Sequence, residues 1–68
     1  MKEIIIKDSP GFQLRLKKWE CQAPKGLYAL NFIQASKDRE GKIDQESTYE
    51  FFMTDEEIKT LAETLLNE

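Results

Sequence analysis

Arg15, Lys17 and Trp19 occupy alternate positions in the stretch from Phe12 to Glu20 (FQLRLKKWE), and alternate residues of an extended chain point to the same side. Two cations beside a large flat ring are what a single-stranded polyanion needs. The cations follow the phosphates, and the ring offers a surface on which an unpaired base stacks, at about 1–3 kcal/mol per base. The same residues admit a plainer account, in which Trp19 belongs to a core or a subunit interface and Arg15 and Lys17 are its solvated neighbours. Ile33 and Phe52, on the same side by alternation, suit a protein-binding patch equally well.

The charge of the whole chain sharpens the question. Its net charge of -3 divides into a basic part and an acidic part. Residues 1–37 carry seven Lys and Arg against three carboxylates, +4, and residues 38–68 carry three against ten, -7. Such asymmetry marks either a surface that faces a polyanion or the ordinary solvation of a sheet and a helix of opposite sign.

Catalysis finds few candidates. There is no histidine, no glycine-rich phosphate loop and no base to activate Cys21, the single cysteine, so an enzyme is not expected. Neither a disulfide within the chain nor a zinc site can be assembled, and Asp38, Glu40, Asp44 and Glu46 lack the ligand order of a calcium loop. No metal and no cofactor are expected. Ile4-Ile5-Ile6 and the other apolar runs are too short to cross a bilayer, and no signal peptide is evident, so the chain reads as cytoplasmic with a reduced thiol.

The elements that must position these residues follow from periodicity. At 68 residues, 40% hydrophobic and 34% charged, the chain is one small folded domain, 1–68, whose core is thin enough that oligomerisation is the remaining way to strengthen it. Lys2 to Lys7, rich in β-branched residues, predicts a first strand ending at Asp8-Ser9-Pro10-Gly11. A second runs from Phe12 to about Gln22, a third from about Leu27 to Ser36, and a fourth from about Ile43 through Tyr49, Phe51 and Met53, with a charged tip at residues 37–42. Thr54 and Glu57 are spaced for a capping box, and Ile58, Leu61, Ala62 and Leu65 form one apolar stripe of a closing helix. The fold class expected is α+β: a four-stranded antiparallel meander and a C-terminal helix packed on the sheet face that bears Phe12, Leu14, Leu16, Tyr28, Leu30 and Phe32. Gln13, Arg15, Lys17, Trp19, Asn31 and Ile33 would then be displayed on the other face.

This order, with the phenylalanine-led strand (FQL), the Lys18-Trp19 pair, the Lys25-Gly26 turn into GLYALNF, the DREG tip and the passage FFMTDEEIKTL into the helix, resembles the positive cofactor four family of transcriptional coactivators and its bacterial and phage relatives. The similarity spans about Phe12 to Leu65. It implies a homodimer whose curved sheets form a channel for single-stranded DNA, with the helices making the dimer contact. Carried over by position, Lys17 and Lys18 would be the basic contacts, Trp19 the stacking ring and Lys25 the basic residue of the turn. Where the family usually shows an arginine followed by a tryptophan on the third strand, this chain has Asn31, Phe32 and Ile33.

The functional expectation is therefore a non-enzymatic, sequence-independent single-stranded DNA-binding homodimer acting in replication, recombination or transcription, with Arg15, Lys17, Lys18, Trp19 and Lys25 at the interface. A small protein-interaction module, such as a phage-encoded inhibitor of a host protein, is the alternative. It would use Trp19, Ile33 and Phe52 as an apolar anchor, or its acidic surface as a mimic of DNA.

Overall fold

A computed structural model describes residues 2–67. Four strands, β1 (Lys2–Ser9), β2 (Phe12–Glu20), β3 (Leu27–Lys37) and β4 (Ile43–Thr54), precede one helix, α1 (Asp55–Leu66). The sheet order is β1-β2-β3-β4 with every neighbour antiparallel, so the expected meander and closing helix are found. β1 and β3 run two residues and one residue further than expected, and β2 stops at Glu20, two residues short of Gln22.

Local chemistry explains the connections. Pro10-Gly11 reverses the chain in two residues, with Gly11 at φ 85°, a value that a side chain disfavours. At the β3–β4 tip the Asp38 carboxylate accepts the amide hydrogens of Glu40 at 2.9 Å and Lys42 at 3.0 Å. That turn accounts for Asp38, and among the described residues no group of three or more potential ligands is placed to hold a metal ion.

Register assigns the faces, since paired residues of adjacent strands share a side. Leu16 pairs with Ile4 on one flank and Phe32 on the other, and Phe32 pairs with Tyr49. Leu30 pairs with Phe51 and Tyr28 with Met53. These residues, with Phe12 and Leu14, make one apolar face. On the opposite face lie Arg15 beside Ile33, Lys17 beside Asn31 and Trp19 beside Ala29.

α1 does not lie on the apolar face. It touches the sheet chiefly through β4 and buries none of its residues fully, and Leu65 and Leu66 are 75% and 84% exposed. The reason is connectivity. Thr54 is both the last residue of β4 and the N-cap of α1, so no linker exists in which the chain could turn back over the sheet. The capping box forms in both directions: Thr54 Oγ1 accepts the Glu57 amide at 3.2 Å, and Glu57 Oε1 accepts the Thr54 amide at 2.9 Å. A cap of this kind contributes about 1 kcal/mol and sets the exit direction of the helix.

Burial is consequently inverted relative to expectation. Of the six residues expected beneath the helix only Leu30 is buried, and the other buried residues, Ala29, Asn31, Ile33 and Ala35, point to the opposite side. They are short or medium side chains on the central strand, shaded by long neighbours on β2 and β4. Tyr49 and Phe51 remain about half exposed, at 51% and 49%. The molecule is a slab of 42 × 33 × 15 Å rather than a two-layer sandwich.

Candidate nucleic-acid interface

Three of the five candidate residues converge. Arg15, Lys17 and Trp19 stand in a row on β2, and across the central strand from them rise Glu46, Thr48, Glu50 and Phe52 of β4. Between the two walls runs an open groove of about 590 Å³ lined by Lys17, Trp19, Asn31, Ile33 and Thr48. Its floor is formed by β3, where Ile33 is 6% and Asn31 8% exposed. Alternation in FQLRLKKWE makes this wall. The small residues of β3 leave the space.

Lys18 lies on the other face, with its ammonium 4.4 Å from the centre of the Tyr28 ring. This cation–π contact places Lys18 apart from the row of Arg15 and Lys17, with which it was expected at the interface, because neighbouring residues of a strand point to opposite faces. The Tyr28 hydroxyl is raised above its ordinary acidity range, chiefly by the negative charge of Asp55 and then of Glu20. Lys25 is exposed in the β2–β3 loop, closed by a hydrogen bond from the Cys21 amide to the Leu27 carbonyl at 2.8 Å. It stands past the end of the strand that carries Trp19.

The groove-facing cations are engaged. Arg15 donates to Gln13 Oε1 at 2.8 Å and to Glu46 Oε2 at 2.8 Å, with its side chain only 17% exposed. Lys17 Nζ lies 3.4 Å from Glu3 Oε2, and Asn31 Nδ2 donates to Glu50 Oε2 at 2.9 Å. Sequence reasoning did not name Glu46 or Glu50 as partners of this row. The pairing of β2 with β1 and β3 with β4 is what brings the carboxylates within reach.

At one end of the sheet Lys37 of β3 makes a salt bridge to Asp8 of β1. The hydrogen bond from Lys37 is the main reason that the Asp8 carboxyl is held below its ordinary value of 3.8. A depressed folded-state value means a contribution to stability that is present above the ordinary value and lost as the pH falls through the folded one. Asp8→Asn should therefore flatten the acid limb of the melting temperature below about pH 4 and leave its shape near neutrality unchanged, as read from thermal melts across pH.

Phe52 is a further candidate that the sequence named only for protein binding. It pairs with Ala29, which pairs with Trp19, so two rings flank a small side chain of β3. Phe52 is 56% exposed.

Compared with protein-family models, curated proteins and solved structures, the chain finds no match. Among the described residues no helix is long and apolar enough to cross a membrane.

Proposed function

We propose that this protein binds single-stranded DNA without regard to sequence, as a non-catalytic homodimer of the positive cofactor four type, acting in the cytoplasm in replication, recombination or transcription. The observation that carries this is the groove: Lys17 and Trp19 along one wall, with Arg15 next in the same row of β2, and an open floor of Asn31 and Ile33. Phosphates would lie along the cations while unpaired bases stack on Trp19, a surface that a duplex cannot use because its ring faces are already stacked. Lys25 extends the basic path at the loop. Lys18, turned to the other face, has the lesser part.

Two quantities support the homodimer. A compact domain of this length has a radius of gyration of about 11 Å, whereas this chain has 14.2 Å. Its accessible surface of 5565 Å² exceeds by about 1,100 Å² the roughly 4,450 Å² of a monomeric protein of its mass. That excess is of the order of the area that each partner contributes to a stable interface, about 800 Å². The apolar face of Leu14, Leu16, Phe32, Tyr49 and Phe51, together with the uncovered stripe of α1, is what a second copy would cover.

A second reading has its own observation. Ile5, 56% exposed, and Phe52 lie on the groove side among paired charges, which suits a protein-interaction module such as a phage-encoded inhibitor of a host protein. Titration of Trp19 fluorescence with a single-stranded oligonucleotide, its duplex and a salt series separates the two. Strand binding predicts quenching by the single strand that weakens with salt, and Arg15→Ala with Lys17→Ala should cut affinity at least about tenfold. A folded protein that responds to neither polymer would turn the assignment to the protein module.

A further inference from the structure

A groove meant for phosphates would be expected to hold its cations ready, yet here each cation of the wall is already answered by a carboxylate. Arg15, the less accessible of the two, is fixed on both sides, by Gln13 and by Glu46, each at 2.8 Å. Glu46 is 43% exposed against 17% for Arg15, so its carboxylate stands at the solvent side of the half-buried guanidinium, where an incoming anion would arrive. Glu3, also 43% exposed, reaches Lys17 from the edge strand β1 at 3.4 Å. Glu50, held at 2.9 Å by Asn31 of the floor, adds a third negative charge in the row that contains Lys17. Arg15 and Lys17 thus face three carboxylates, and the groove is not basic while it is empty.

We propose that Glu46 and Glu3 hold the positions that strand phosphates take, so that the groove is occupied by its own carboxylates until a polyanion displaces them. This rests on the single-stranded DNA reading and specifies how that site is restrained. The chemistry is an exchange of like partners. A carboxylate and a phosphate oxygen both accept from the guanidinium in the same geometry, and the phosphate prevails when the strand engages several cations and a stacking ring together. A lone phosphate or a short oligonucleotide lacks that combination, so the internal carboxylates raise the length of strand needed for binding. Displaced glutamates also repel the phosphates that replace them, which lowers affinity further.

Glu46→Gln keeps the size of the side chain and its hydrogen bond to Arg15 while removing the charge. Fluorescence anisotropy of a labelled oligothymidine at fixed ionic strength should report an affinity about tenfold higher for Glu46→Gln, with a smaller gain for Glu3→Gln and a shorter minimum strand length for both. Glu56→Gln, in the first turn of α1 and outside the row, changes the net charge equally and should leave affinity within about twofold. Binding by a glutamine variant where the parent protein binds weakly or not at all supports the proposal. Should the parent bind and neither Glu46→Gln nor Glu3→Gln bind more tightly, the restraint is overturned and strand binding stands. An equal gain from Glu56→Gln overturns it as well, since total charge then explains the effect. If parent and variants alike fail to bind, with circular dichroism unchanged, both the restraint and the strand-binding function fall together.

Discussion

Phe51→Asp should give a protein that neither assembles nor folds stably at micromolar concentration if a second copy covers the apolar face as proposed, whereas Phe52→Asp, one residue along the same strand, should stay folded and keep the parent's mass in solution. In a single chain the two positions look alike, Phe51 being 49% and Phe52 56% exposed on edge strand β4. A change at such a surface site ordinarily alters stability by less than about 0.5 kcal/mol. The difference arises from the faces. Phe51 meets Phe32 edge-on, with ring centroids 6.2 Å apart, in the middle of the apolar face that a second copy would cover. A carboxylate placed there would be removed from water without a partner, at several kcal/mol in each subunit, a large share of the 5–15 kcal/mol that holds a typical domain together. Light scattering for mass and circular dichroism for fold would decide it. A folded monomer carrying Phe51→Asp would show that the apolar face needs no partner.

On the proposed strand-binding function, Trp19→Ala should lower affinity for single-stranded DNA by about fivefold to a hundredfold, the range of one base stack, and leave the mass in solution unchanged. Trp19→Phe keeps a ring and recovers most of that loss, which separates stacking from a general disturbance of the wall. Because the substitution removes the intrinsic fluorophore, anisotropy of a labelled strand is the measurement. Full affinity in Trp19→Ala would leave Phe52 to be tested as the stacking ring, on the other side of Ala29.

The strands and their faces were legible because each rests on near neighbours in sequence. Phe12, Leu14 and Leu16 alternate with Gln13, Arg15 and Lys17, and the structure keeps the two sets on opposite sides of the sheet. The start of α1 was equally legible, since Thr54 and Glu57 carry both halves of the capping box within four residues. The expected shelter of the apolar face by α1 was not found, although its stripe of Ile58, Leu61 and Leu65 invited it. An amphipathic pattern states that a face requires cover. It does not state whether the cover comes from the same chain.

The candidate site divides along the same line. Residue type and a period of two determined that Arg15, Lys17 and Trp19 would form one row, whereas Lys18, expected with them at the interface, stands on the other face. Their electrostatic state was decided only by the tertiary structure. Glu46 lies 31 residues from Arg15 along the chain and becomes its partner only through the register of β3 with its two neighbours. Local periodicity depends on covalent geometry, which every short segment carries with it. Charge pairing and burial depend on which distant segments meet, and that is set by turn lengths, strand order and a helix that follows β4 with no residue to spare for turning back.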